Sequence, residues 1–455
     1  MTSKTDRTKG QTTAPGHLEV PRRDPAGRAG GRRALGAALV AALAAGSVAL
    51  GAPASFAARR PQSRESFTIK LGTVLPLTGS LSAYGPSLTR AADLAVGQVN
   101  SALAKDGIDV HVDLVGNLDS QTSAQAGVEA MQKLVTVDGV EVVIGAMSST
   151  VTEAMALSVA KPDHVLLVSP TSSDPAIKRL ADDHLLWTVY PTDDLQGRAL
   201  AASVASSVGA HATVNVLAQD DAYGTGVMQE FVDTWKAGGG RIGVEEAFDP
   251  TAPSLDAVAQ RVASGHPAAW VLVAYPSYFE RLAPALVRTG TWSPAKTFAT
   301  EDLENTSVLD KVGAQATQGL RGTAGSPPVG PSANAFKRYF LANADKTPFT
   351  GFEGTAFDAV VLSTLAAVKA HSANPLLIRD QMQSVSGPSG QRYSWQQLPA
   401  AFKAAAAGHP IAYQGAWGQI DWASNGTPNS ATYVLWRYAS GKITTLRTFT
   451  YGPKQ

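Results

Sequence analysis

The chain has 455 residues, 44% of them apolar and 16% charged, a globular composition long enough for two domains of ordinary size. It contains no cysteine, which excludes disulfides, thiolate metal sites, cysteine nucleophiles and a lipid-modified cysteine together. A formal charge of +1 carries no basic excess of the kind nucleic-acid binding needs.

Residues 1–57 read as an export signal. Lys4, Arg7, Lys9, Arg22, Arg23, Arg28, Arg32 and Arg33 precede the uncharged stretch "ALGAALVAALAAGSVALGAPASFAA", and "SFA" ending at Ala57 suits a small-residue cleavage site. "GGRRALG" is similar to a twin-arginine signal, and the general secretory route stays open beside it. The run from Ala34 to Ala58 is also long enough to span a bilayer, so an uncleaved anchor is the alternative, although its alanines and glycines make it only weakly hydrophobic. Taking the eight basic and three acidic side chains of residues 1–57 from the 38 and 37 of the whole chain leaves 30 and 34, a net of −4. The expected product is a mildly acidic, exported monomer without cofactor, metal or nucleic-acid partner.

From Phe67 onward, short Val/Ile/Leu-rich runs alternate with stretches of helical period. The predicted strands are "IKLGTVL", "DVHVDLVG", "GVEVVIG", "HVLLVS", "TVNVLAQ", "AAWVLVAY" and "KTFAT", with helices such as "SLTRAADLAVGQVNSAL", "SAQAGVEAMQKLVT", "GTGVMQEFVDTWKA" and "LDAVAQRVAS" between them. Strands apolar on both faces, separated by amphipathic helices, predict parallel sheets covered by helices, an α/β class. The succession is too long for one open sheet. It divides near "VYPTDD", giving two doubly wound, Rossmann-like lobes, and a second break is expected in the Pro/Gly/Ser stretch "GTAGSPPVGPSANA" at residues 322–335. Strand character returns around "ASNGTP", read as a turn between alternating segments.

In open parallel sheets, ligands bind beyond the carboxyl ends of the strands. Those ends carry Ser148, Ser149 and Thr150 after "VVIG", Thr171, Ser172, Ser173 and Asp174 after "VLLVSP", Tyr223 after "VLAQDD", Tyr275 after "VLVA", and Glu301 with Asp302 after "TFAT". Serines at a helix mouth are often plain N-caps, but the same position offers unpaired N–H groups and partial positive charge to an anion. Tyr84, Tyr223 and Tyr275 either pack against turns or line a small-molecule crevice. Glu301 and Asp302 are either a solvated pair or a cation site. "GGGRIG" at 238–243 has the spacing of a dinucleotide fingerprint but follows a helix and precedes a strand, the reverse of what that motif requires. No G-x-S-x-G elbow, H-E-x-x-H or P-loop occurs, and the eight histidines are scattered, so no catalytic machinery is visible.

Several stretches in succession resemble the leucine/isoleucine/valine-binding proteins that serve ATP-binding-cassette importers: "IKLGTVLPLTGSLSAYGPSLTRAADLAVGQVN", "LVTVDGVEVVIGAMSST", "VLLVSPTSSDPAI", "QDDAYGTG" and "YQGAWGQIDWASNGTP". The resemblance implies a type I periplasmic binding fold, two lobes joined by a three-segment hinge. Residues 58–66 would be a linker, 67–191 with 324–412 one lobe, and 192–323 with 413–455 the other. It implies a ligand carboxylate held by Ser149 and the helix beginning there, with Thr150 beside it and Thr171 and Ser173 supporting. An ammonium would be held by Tyr275 and by Glu301 or Asp302, while Tyr84 and Tyr223 close over the ligand. The family's usual threonine is a serine at Ser173, and the segment before Glu301 is longer than the family pattern. The implied function is non-enzymatic capture of a branched-chain amino acid or similar solute for permease subunits in the membrane. The alternative is an exported sensor of an amide, urea or aromatic acid acting on a signalling partner. An α/β hydrolase is the third and weakest reading.

Overall fold

The computed structural model describes residues 66–326 and 331–452; the expected export signal lies outside them. The first sheet has the order β2-β1-β3-β4-β5 and is wholly parallel. Its strands are β1 (Phe67–Leu75), β2 (Val110–Asp119), β3 (Val142–Gly145), β4 (Leu166–Ser169) and β5 (Leu186–Thr188). The second sheet is built from β6 (Thr213–Gln219), β7 (Arg241–Phe248), β8 (Ala269–Val273), β9 (Thr297–Ala299) and β10 (Arg321–Gly325). A small parallel pair, β11 (Gln391–Ser394) and β12 (Ile411–Gln414), precedes β13 (Ala431–Ala439) and β14 (Lys442–Tyr451), which complete the second sheet in the order β14-β13-β10-β9-β8-β6-β7.

The strand patterns follow position. Every residue of β3 and β4 is buried, as central parallel strands covered on both faces require. The edge strand β7 alternates exposed with half-buried residues instead. The helix Gly85–Lys105 packs on the helix Glu353–Ala370, which also touches β3 and β4 and is buried along nearly its whole length. That placement explains why the sequence of the second helix lacks a polar stripe.

The chain passes between the sheets three times: after β5, after β10 and after β12. Tyr190 stands where these connections converge. Its hydroxyl accepts a hydrogen bond from the Gly325 N–H at 2.7 Å, and its ring lies 5.5 Å from that of Trp417. Gly325 is required there, since a Cβ would sit 2.5 Å from the Tyr190 ring.

Several expectations need correction. The second sheet is mixed: β13 runs antiparallel to β10 and to β14. The break expected at 322–335 begins inside β10, whose small residues form a strand; Gly322 permits a close approach, because a Cβ would lie 2.4 Å from the Ala299 carbonyl oxygen. The chain leaves the second sheet after Gly325 and leaves β12 after Gln414. "ASNGTP" closes a single bridge, Trp422 with Pro428, whereas the long hairpin turns at Ser440 and Gly441, both with positive φ.

Candidate ligand-binding site

In both sheets the strand order reverses beside the first strand of the βαβ series, at β1/β3 and at β6/β8. Such switch points leave a crevice beyond the strand ends. Loops after β3, β4, β6, β8 and β9 meet there around a small cavity.

On the first sheet's side, Ser148 adopts extended backbone as N-cap, and the helix Ser149–Met155 starts at the next residue. The Ser149 hydroxyl oxygen accepts hydrogen bonds from the backbone N–H groups of Ser173 and Asp174, both at 3.2 Å. With its lone pairs so occupied, the hydroxyl proton is left to donate, and Ser149 lines the cavity. The first-turn N–H groups of the helix have no intrahelical acceptor and add partial positive charge beside it. Most of the other hydroxyls bind the protein. Ser169 donates to the Ala146 carbonyl at 2.8 Å, Thr171 to the Met147 carbonyl at 3.2 Å, and Thr152 and Ser172 bond each other at 2.7 Å. They lock the loops after β3 and β4 together.

On the second sheet's side, Gln219 accepts a hydrogen bond from the Tyr275 N–H at 2.6 Å and donates at 2.6 Å to Asp221, whose other oxygen caps the helix Ala222–Ala237 through the Gly224 N–H. This brings Tyr223 and Tyr275 into a stack, centroids 5.6 Å apart and 10° from parallel. The Tyr223 hydroxyl lies 2.8 Å from Thr300 Oγ1 and 3.1 Å from Glu301 Oε1, and Gln196 donates to the other Glu301 oxygen. Glu301 is thus held by two neutral donors. Burial raises its pKa to about 6, with Gln196 and Tyr223 opposing the rise. The Asp302 carboxylate accepts no hydrogen bond of standard geometry among the described residues. Burial and then the Glu301 charge push its pKa well up, against a lowering by the nearby Tyr223 hydroxyl. Asp193 stands behind them, both oxygens buried without a standard hydrogen bond; burial and Glu301 raise its pKa, and the Ser173 hydroxyl works the other way.

Of the residues expected at the site, Ser149, Thr171, Ser173, Tyr223, Tyr275, Glu301 and Asp302 line this one cavity. Tyr84 and Thr150 do not line it. They join the two sides instead: the Tyr84 hydroxyl donates to the Asp302 carbonyl at 2.9 Å, and Thr150 Oγ1 accepts from the Ala222 N–H at 3.2 Å. The sequence reading missed four lining residues, Leu81, Met147, Tyr190 and Phe352, and the buried Gln196 that holds Glu301. Met147 and Tyr190 lie within stretches already singled out, "MSST" and "VYPTDD". Phe352 had no such signal, since it precedes an all-buried helix far along the chain.

A family model described as periplasmic binding protein matches residues 68–435. The chain is 27% identical over 371 residues to the chemotactic signal transduction system substrate-binding protein BasB of Halobacterium salinarum, covering 78% of this chain and 83% of that protein. It is 30% identical over 196 residues to the Leu/Ile/Val-binding protein BraC3 of Rhizobium johnstonii, where the match spans 43% of this chain and only 52% of the relative. In fold it is similar to the crystal structure of a leucine binding protein from Thermotoga maritima, with a TM-score of 0.69 and 19% identity over 85% of this chain and 99% of the other. Members of the matched family are substrate-binding proteins rather than enzymes. The chain belongs to the periplasmic binding protein family.

Proposed function

We propose that this protein is an exported receptor that captures a small amino-acid-like solute, such as a branched-chain amino acid, between its two sheets and delivers it to the permease subunits of an ATP-binding-cassette importer. The observation that carries the reading is the division of the crevice by charge. Ser149 offers a free hydroxyl proton at a helix mouth on one side, while Asp302 and Glu301 present carboxyl groups on the other. An α-amino acid has the complementary pair, a carboxylate for the first and an ammonium for the second. Tyr223, Tyr275, Tyr190 and Phe352 supply the apolar walls that small-molecule pockets combine with a few placed polar groups. Residues 1–57, read as an export signal, would put the receptor outside the cytoplasm, and no helix among the described residues is long and apolar enough to cross a membrane.

Binding draws both sides together, since each alone presents half of the partners. The test is a thermal-shift screen of amino acids, amides and aromatic acids against the purified protein. A ligand that binds only the folded state raises the melting temperature by mass action. An α-amino acid should give the largest rise; a rise with amides or aromatic acids alone would refute the assignment. Similarity to the chemotactic substrate-binding protein supports a second reading, a sensor whose loaded form docks on a signalling receptor. Stimulation of ATP hydrolysis by a reconstituted permease–ATPase pair favours import, and ligand-dependent capture of a membrane receptor favours sensing.

A further inference from the structure

The crevice is lined by more carboxyl groups than one ammonium can pair with. Two of its lining residues, Glu301 and Asp302, are acids, and none of the described residues that line it is Lys, Arg or His. Asp193, fully buried and electrostatically coupled to Glu301, has no hydrogen-bond partner of standard geometry for either carboxylate oxygen. Glu301 takes two of the neutral donors at hand, from Gln196 and Tyr223. A branched-chain amino acid brings one ammonium, and its carboxylate adds a negative charge. Closing on such a ligand leaves at least one carboxyl buried with no cation, which is unfavourable unless that group takes up a proton.

We infer, resting on the amino-acid reading above, that the solute carries more positive than negative charge, an amino acid with a second amino or guanidino group being the simplest fit. The α-carboxylate goes to Ser149 and its helix, and the two cationic groups share the lining carboxyl groups of Asp302 and Glu301, with Asp193 buried behind them. The tyrosines fit the same ligand, because aromatic rings attract cations through their quadrupole.

Isothermal titration of the purified protein at neutral pH with lysine, ornithine, arginine and leucine tests the inference. At least one of the cationic amino acids should bind roughly tenfold or more tightly than leucine. In Asp302→Asn, the ratio of its affinity to that of leucine should fall by roughly tenfold. The wild-type comparison decides the matter even if that variant fails to fold. Leucine binding as tightly as the cationic amino acids would overturn the inference and leave the amino-acid reading standing. Binding of 4-hydroxybenzoate or a neutral amide, with no response to any amino acid, would overturn both.

Discussion

Replacing Ser149 by alanine removes two separate functions, and the structure allows them to be measured apart. The hydroxyl oxygen accepts the N–H groups of Ser173 and Asp174, and in the alanine variant both lose their acceptor within buried loops. A buried donor left unsatisfied costs about 1–3 kcal/mol, so the unliganded protein should lose roughly 2–6 kcal/mol and melt several degrees lower. The hydroxyl proton is the part free for a ligand. A hydrogen bond to a charged group contributes about 1.5–3 kcal/mol, which corresponds to a roughly ten- to hundredfold weaker Kd for a carboxylate ligand. Calorimetric titration with an amino acid and with its neutralised amide separates these effects. Loosened loops weaken both ligands alike, whereas loss of the charge-assisted bond weakens the acid more, and the acid-to-amide preference should shrink by about tenfold. A variant that melts earlier but keeps that preference intact would show Ser149 to be only a strut between two loops.

Three further outcomes are expected. Tyr84→Phe removes the hydrogen bond from Tyr84 to the Asp302 carbonyl, worth about 0.5–1.5 kcal/mol, so titration should read a two- to tenfold weaker Kd; unchanged affinity would mean that this bond forms equally well without ligand. Gly226 lies on the helix Ala222–Ala237, and a Cβ there would stand 2.9 Å from Asp174 Oδ1 and 3.1 Å from Pro175 Cδ, across the crevice. Gly226→Ala should gain about 1 kcal/mol of helix propensity yet hinder closure, so small-angle scattering should show a smaller ligand-induced drop in radius of gyration than in the wild type. Glu301 titrates near 6, Asp358 near 7, and Glu153 and Glu304 near 8, all raised chiefly by burial. The folded state therefore holds more protons than the unfolded one, and stability of the unliganded protein should fall as pH rises from about 4 to about 8; a melting temperature that climbs across this range would contradict the burial of these groups.

What the sequence determined by itself was whatever depends on local pattern. Runs such as "VVIG" and "LLVS" are apolar at every position because both faces of a central parallel strand are covered, and the hydroxyls and tyrosines after them could be assigned to strand ends without coordinates. Seven of the eleven strand-end residues singled out by that rule line one cavity. Tertiary structure alone decided how each hydroxyl is used, because a serine that donates to a neighbouring carbonyl and one that accepts two N–H groups look identical in a sequence. Ser149 and Ser172 differ in that way. It also decided that "RGTAG" is a strand: glycine and alanine carry no strand signal, and the segment is extended because β9 and β13 flank it closely enough to exclude larger side chains. Gln196, Asp193 and Phe352 join the site by long-range packing, the first two from the start of the helix Asp193–Val208 and the third from a position some 160 residues further on. Their proximity to Glu301 and the cavity comes from three crossings between the sheets, a property of the whole chain that no local stretch records.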